Sequence, residues 1–568
     1  MKTMQFGTID YVIFILYVLT IIGVGLWVSR TKKGTQKTSQ DYFLASKALP
    51  WWAIGSSLIA ANISAEQFIG MSGSGFAIGL AIASYEWMAA VSLLIVGKFF
   101  LPVFIEKGLY TIPEFIEKRY STQLKSILAV FWIALFIFVN LTSVLFLGSK
   151  ALDTIIGTGN GDLIMYSIIG LALFAAAYSL YGGLSAVAWT DVIQVVLLIG
   201  GGLVTTFLAL SDVSPDGGII SGFKHVYEAV PEKFSMILQK GEIITPNGED
   251  AYSYLPGLAV LIGGMWVANL YYWGFNQYII QRTLAAKSLK EAQHGIVFAA
   301  FLKILIPLIV VIPGIIAFVL NADPSGNITP QSADPTFFNA MGAVDNDRAY
   351  PWLVKTFIPT GLKGLVVAAL VAAIVSSLAS MLNSTSTIFT LDIYKPYFSK
   401  NASEKELVRV GRITSSVALI IAIFMAPLLG NIKQAFQYIQ EYTGIVSPGI
   451  LAIFLLGMFY KKATNRSAIF GALFSIVFAF YLKVGQNGWL AGTSVAGLFP
   501  SFPWMDQMLI VCLGTMLVMA IYSYFETKGA NDAKGIPLKK STFYTDPIFN
   551  ILSTVVILIL TVIYAIFW

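Results

Sequence analysis

The sequence predicts an all-α membrane protein of about 14 transmembrane helices. Three observations predict it. Hydrophobic residues make up 57% of the 568, and charged residues only 12%, half of the roughly 25% usual in soluble domains. The apolar residues fall in long continuous runs, each near the roughly 20 residues that cross a hydrocarbon core. They do not form the alternating ten-residue segments of a membrane barrel. The basic residues gather in every second connection. A soluble enzyme is excluded, and so is a disordered chain, which needs low hydrophobicity and high charge.

In order, the candidate spans run over 9–29, 52–80, 82–105, 124–149, 163–180, 186–210, 256–280, 293–320, 361–391, 411–429, 434–460, 466–485, 505–525 and 547–567. The first is too long for a signal-peptide core and is expected to be retained. Connections after odd-numbered spans carry 24 of the 36 Lys and Arg. They include Arg30, Lys32, Lys33, Lys37 and Lys47 in the first, and Arg282, Lys287 and Lys290 in the fourth. Basic residues mark the cytoplasmic side, which places both termini outside. The long loops 211–255 and 321–360 fall outside too, and are rich in Asp and Glu. The net charge of +6 therefore reflects orientation in a lipid bilayer, not a nucleic-acid surface. One cysteine, Cys512, and two histidines, His225 and His294, give no basis for a disulfide or a His/Cys metal centre. The chain ends at Trp568, directly after the last candidate span, so function is expected in the membrane bundle.

Two spans are interrupted. The second, SSLIAANISAEQFIGMSGSGFAIGLA, has Asn62, Ser64, Glu66 and Gln67 near its middle, followed by Gly70, Gly73 and Gly75. The seventh, GLAVLIGGMWVANLYYWGFNQYI, has Gly263 and Gly264, then Asn269, Gly274, Asn276 and Gln277. Both are expected to be discontinuous helices, since backbone that leaves the helix at membrane depth must line protein or a cavity. They begin two consecutive groups of five spans, and five being odd, the groups lie inverted. Interrupted helices in matching places of inverted repeats point to a site at the midplane. The competing explanation is close helix packing through small residues. The expected division is 1–50 (first helix and cytoplasmic loop), 51–210 (first repeat), 211–255 (outer loop), 256–460 (second repeat) and 461–568 (three added helices).

Five charged residues fall inside spans: Glu66, Glu86, Asp191, Lys303 and Glu441. Each costs roughly 2.5–3.5 kcal/mol at a span centre, so each needs a partner or a cavity. Paired structural charge is the alternative for Glu66, Lys303 and Glu441. Snorkelling is the alternative for Glu86. In the ninth span Ala373, Ser376 and Ser377 share one helix face. Facing the carbonyls of Ala60 and Ile63 in the broken second span, they would form an all-oxygen site for a hard cation. Such groups do not titrate near neutrality, which favours sodium over a proton. Asp191 would add negative charge nearby. The alternative is that these hydroxyls bond the preceding helical turn. The amides Asn62, Gln67, Asn269 and Gln440, with Glu86 and Lys303, suit a neutral ligand with many hydroxyls. Tyr272 would cover the face of a sugar ring. Amides also join helices.

On these residues the chain resembles the sodium/solute symporter family, nearly end to end, and most closely its sugar-carrying bacterial members. The densest stretches are SLIAANISAEQFIGMSGSG, ASYEWM, YGGLSAV with WTDVIQV, WVANLYYWGFNQYIIQRTLAAKS, AAIVSSLASMLNSTSTIF and AFQYIQEYTGIVSPGI. The resemblance implies a leucine-transporter-like core of two inverted five-helix repeats and sodium-coupled import of a galactose- or glucose-type hexose by alternating access. It places sugar contacts on Asn62, Gln67, Glu86, Asn269, Lys303 and Gln440. Tyr272 becomes the inner gate, and Met71, Tyr85 and Phe436 the outer one. Sodium falls to Ala60, Ile63, Ala373, Ser376 and Ser377, with Asp191 beside the ion path. The implied partners are a small sugar, sodium as co-transported ion, and the bilayer of a bacterial inner membrane, with no obligate protein partner. Symport of another small solute, such as sialic acid, proline, pantothenate or a nucleobase, is the alternative. One departure stands out: sugar carriers have a serine in YEWMS, where this chain has Ala89.

Overall fold

The computed structural model describes residues 6–28, 48–109, 111–182, 184–339, 341–430 and 435–568. Arg30, Lys32, Lys33, Lys37 and Lys47 lie outside the described residues. Eleven continuous helices among the described residues are long and apolar enough to cross a membrane, and a bent pair makes a possible twelfth. There are no strands among the described residues, only isolated bridges.

In chain order, α1 is Thr8–Val28. The second segment is divided into α2a, Trp51–Asn62, and α2b, Ser72–Ala77, with a wide turn Glu66–Met71 between them. Then come α3, Leu80–Glu106, and α4, Thr122–Ile155. They are followed by α5, Ile164–Gly182, and α6, Leu184–Val213. The seventh segment has three pieces: α7a, Leu258–Ile262; α7b, Gly264–Phe275; and α7c, Gln277–Leu284. The rest are α8, Leu289–Asn321; α9, Leu362–Tyr397; α10, Glu404–Leu429; α11, Ala435–Phe459; α12, Asn465–Gln486; α13, Trp504–Thr527; and α14, Pro547–Ile566.

Burial sorts centre from rim. The apolar window of α9 is 94% buried, whereas those of α1 and α14 are 17% buried. An isolated apolar helix at the rim exposes its side chains to lipid at no cost. Only a central helix can carry a row of hydroxyls such as Ser376, Ser377, Ser380 and Ser384, all 0–2% exposed.

Both interrupted segments break, but not in the same way. In the second the chain leaves the helix at Ile63 (φ −74°, ψ 96°), ahead of the glycines. Those glycines serve packing instead. A Cβ on Gly75 would meet the Val311 carbonyl at 2.6 Å, and one on Gly314 would meet the Ser72 carbonyl at 2.1 Å, so α2b and α8 touch backbone to backbone. In the seventh the break falls on a glycine, as expected: Gly263 takes φ −122°, ψ −126°, and the helices on either side diverge by 77°. A second break follows at Asn276 (ψ 119°).

The long loop 211–255 is folded onto the bundle. Lys233, in the short turn Pro231–Phe234, donates to the carbonyls of Phe76 (3.1 Å) and Ala77 (3.0 Å) at the end of α2b.

Candidate functional site

The restart after Ile63 is held by Ser64 and Gln67. The Glu66 amide donates to Ser64 Oγ (3.1 Å), and Gln67 Oε1 accepts from the Ser64 amide (3.0 Å). The spacing Ser-x-x-Gln is that of a helix N-terminus. In a continuous helix the Ser64 amide would bond the Ala60 carbonyl. Here it is committed to Gln67.

Around this restart lies a cavity of about 40 Å³. α2a and the wide turn contribute Asn62, Glu66 and Gln67; α3 contributes Tyr85, Glu86 and Ala89. α7b contributes Ala268, Asn269, Tyr272 and Trp273; α8 contributes Lys303; α11 contributes Phe436 and Gln440. The expected sugar residues Asn62, Gln67, Glu86, Asn269, Lys303 and Gln440 thus border one space, with Tyr272, Tyr85 and Phe436. Met71 does not border it; it is buried in the wide turn.

Lys303 is 1% exposed and Glu86 3%. Lys303 Nζ donates to Glu86 Oε2 and to Asn62 Oδ1. It also stands 5.0 Å from the centre of the Trp273 ring. Glu86 therefore does not snorkel; it is paired inside the bundle. Asn62 Nδ2 donates to the Tyr272 hydroxyl (3.1 Å), which shares a hydrogen bond with the Tyr278 hydroxyl (2.6 Å). Asn269 Nδ2 donates to the Met265 carbonyl one turn back (3.2 Å). Tyr85 and Phe436 meet edge to face, 4.9 Å between centres. Glu66 Oε1 is buried without a hydrogen-bond partner. Ala89 faces the cavity with a methyl group only, and Ser92 is not among the lining residues.

A second polar cluster lies between α2a, α6, α7c and α9. Ser377 Oγ donates to the Ala61 carbonyl (3.0 Å), one residue from the expected Ala60. No hydroxyl bond to Ile63 accompanies it. Ser376 Oγ donates to Asp191 Oδ1, and Ser57 Oγ to Asp191 Oδ2. Ala373 is buried one turn before Ser376. Asp191, expected only beside the ion path, thus touches Ser376 directly.

Arg282 is the residue that sequence reasoning misplaced. Its place just after the seventh candidate span groups it with the loop cations, but it is 1% exposed in α7c. Arg282 Nε donates to Ser57 Oγ (2.7 Å) and Nη2 to Ser380 Oγ (2.5 Å). Nη1 donates to the Tyr278 carbonyl, and Nη2 lies 3.4 Å from Asp191 Oδ2. The signal in the sequence was the stretch QYIIQRTL, which has no turn residue before the arginine. Glu441 is a paired charge outside the cavity: Lys483 Nζ of α12 donates to it, as does Gln486 Nε2 (2.9 Å).

The sequence pattern described as the sodium:solute symporter family matches residues 42–475. The chain is 59% identical over 560 residues to a sodium/glucose cotransporter of Vibrio parahaemolyticus, covering 99% of this chain and 98% of the relative. It is 34% identical over 472 residues to sodium/myo-inositol cotransporter 2 of Homo sapiens, covering 82% and 68%. A solved Na+-coupled sialic acid symporter, substrate-bound and outward-open, has the same fold, with TM-score 0.74, 24% identity and coverage of 92% and 98%. The chain belongs to the sodium:solute symporter family.

Proposed function

We propose that this chain is a sodium-coupled symporter that imports a neutral hexose of the galactose or glucose type by alternating access. The observation that carries this is the single cavity shared by Asn62, Gln67, Glu86, Asn269, Lys303 and Gln440. Its amides and its one ion pair offer donors and acceptors together, which a ring of hydroxyls needs. The near full-length identity to a sodium/glucose cotransporter supports the sugar class.

In this reading about 14 segments cross the bilayer, counting the broken second and seventh and the shorter fifth. The two groups of five, 51–210 and 256–460, form inverted repeats, preceded by 1–50, joined by the outer loop 211–255 and followed by 461–568. Both termini face outward from a bacterial inner membrane. Tyr272 is the inner gate, and Tyr85, Phe436 and Met71 form the outer one. A cavity of about 40 Å³ has room for two or three water molecules. Admitting a hexose therefore requires the Tyr85–Phe436 contact or the Asn62–Tyr272 bond to open.

Sodium binds between α2a and α9, at Ser376, Ser377 and Ala373 with the carbonyls of Ala60 and Ile63, near Asp191. Because coupling is reciprocal, sodium and sugar each tighten the other's binding. One charge crossing 100 mV yields about 2.3 kcal/mol, enough for roughly 50-fold sugar accumulation.

The test is uptake of labelled glucose and galactose by proteoliposomes under an imposed sodium gradient, with myo-inositol, sialic acid and proline as competitors. Accumulation of hexose that collapses with the gradient is expected. Accumulation of another solute with no hexose uptake would overturn the substrate class. No sodium-driven accumulation of any of them would overturn symport.

A further inference from the structure

We propose that the Arg282 guanidinium is a tethered cation that competes with sodium for Asp191, and that its bond to Tyr278 carries this competition to the sugar pocket. The inference rests on the symport reading above. Neither Arg282 nor Tyr278 belongs to the sugar, gate or sodium sets already named.

The two clusters are joined by one run of hydrogen bonds. It passes from Glu86 to Lys303, to Asn62, to the Tyr272 hydroxyl and to the Tyr278 hydroxyl. The Tyr278 carbonyl then accepts from Arg282, which pairs with Asp191, which accepts from Ser376. Tyr278 and Arg282 sit one turn apart on α7c, the short helix beyond the break at Asn276. That break lets α7c shift without carrying α7b rigidly with it.

Charge makes the junction a switch. Among the described residues Asp191 is the one carboxylate in contact with Ser376, and it is wholly buried. Arg282 already balances it. A sodium ion seated at Ser376 and Ser377 would set two cations against one carboxylate in dry surroundings, where like charges repel strongly. The pairing is also easily loosened. Arg282 reaches Asp191 by a single contact of 3.4 Å, not by the two-pronged geometry guanidinium prefers. Its remaining bonds, to Ser57, Ser380 and the Tyr278 carbonyl, keep it satisfied when Asp191 is given up. Sodium entry thus displaces the guanidinium, the guanidinium moves the Tyr278 backbone, and the Tyr278 hydroxyl releases or holds Tyr272.

Spatial continuity does not by itself establish coupling, so the test measures it. The purified full-length protein is assayed for binding of radiolabelled sodium, and for galactose affinity in sodium and in choline. Arg282→Gln removes the competing charge and is expected to tighten sodium binding about tenfold, while sodium's effect on galactose affinity shrinks below about threefold. Arg282→Lys restores the charge and returns sodium affinity toward wild type. Tyr278→Phe is expected to hold sodium affinity within about threefold yet lose most of the sodium effect on galactose. A supporting role in folding would leave sodium affinity unchanged or weaken it. Unchanged or weaker sodium binding in folded Arg282→Gln overturns the proposal. Should that variant not fold, Tyr278→Phe decides, and a full sodium effect on galactose there overturns it. Wild-type protein whose galactose affinity ignores sodium overturns the symport reading and this inference together.

Discussion

The pocket around Lys303 and the cluster around Asp191 are alike in outline. Both are buried, both meet the broken segments, and each contains one ion pair. They differ in how the pair is held. Lys303 is in close hydrogen-bonding contact with Glu86 and Asn62 and borders a cavity. Arg282 reaches Asp191 by one long contact and leans on hydroxyls and a carbonyl. A close pair fixes the shape of a binding surface, while a loose one can exchange partners. The difference teaches that buried charge in one bundle can serve two ends: rigidity, which the proposed sugar site needs, and replaceability, which the proposed ion site needs.

The comparison breaks most visibly at the close pair. Lys303→Met leaves Glu86 buried and unpaired, which costs about 3–5 kcal/mol. Thermal unfolding in detergent should show the loss, and sugar uptake should vanish. Adding Glu86→Gln should recover most of the stability without uptake; recovery of both would remove the pair from recognition. Next comes the cation side. Ser377→Ala should raise the sodium concentration for half-maximal uptake about tenfold, the equivalent of roughly 1.4 kcal/mol. Galactose affinity at saturating sodium should stay near wild type, and an unmoved sodium titration would place the ion elsewhere. Between the two regions lies Tyr272. Tyr272→Phe removes bonds to Asn62 and Tyr278, each contributing about 0.5–1.5 kcal/mol. Galactose efflux from preloaded vesicles should quicken several-fold, and unchanged efflux would deny Tyr272 a gating role.

The smallest effect concerns the far end of the second segment, where Lys233 meets α2b. Burial pulls the Lys233 ammonium from its ordinary 10.5 down to about 7. Between those values the unfolded chain binds a proton that the folded chain has given up, so stability rises with pH across that window. Melting temperatures from pH 7 to pH 10 should climb less steeply in Lys233→Met than in wild type. Parallel slopes would show that the amine stays charged where it lies.

The helices and the pocket were legible because they rest on anomalies of composition. Amides and charges such as Asn62, Glu86 and Lys303 stand out in apolar runs, and a shared cavity is the cheapest way to satisfy them. Helical spacing put Ala373, Ser376 and Ser377 on one face but did not tell whether the hydroxyls bond the preceding turn; Ser376 bonds Asp191 and Ser377 the Ala61 carbonyl instead. Arg282 was not legible, because a cation near the end of a span is what membrane orientation already explains. The break at Ile63 was obscured by the glycines after it, which turned out to serve close packing; the Ser64–Gln67 spacing was the better sign. The long loops 211–255 and 321–360 were not legible. Their folding depends on single contacts such as Lys233 with the end of α2b, which leave no periodic trace.

The backbone contact of Gly75 and Gly314 constrains which parts of the machine can move. Two chains this close have no side chains to act as bearings, so α2b and α8 are welded, and Gln67 and Lys303 ride on one block. A tilt that widens the pocket is thus left to other elements, such as α7b with Tyr272. One added methyl group at either glycine would be a wedge driven into that weld, spoiling the alignment of a site it never touches.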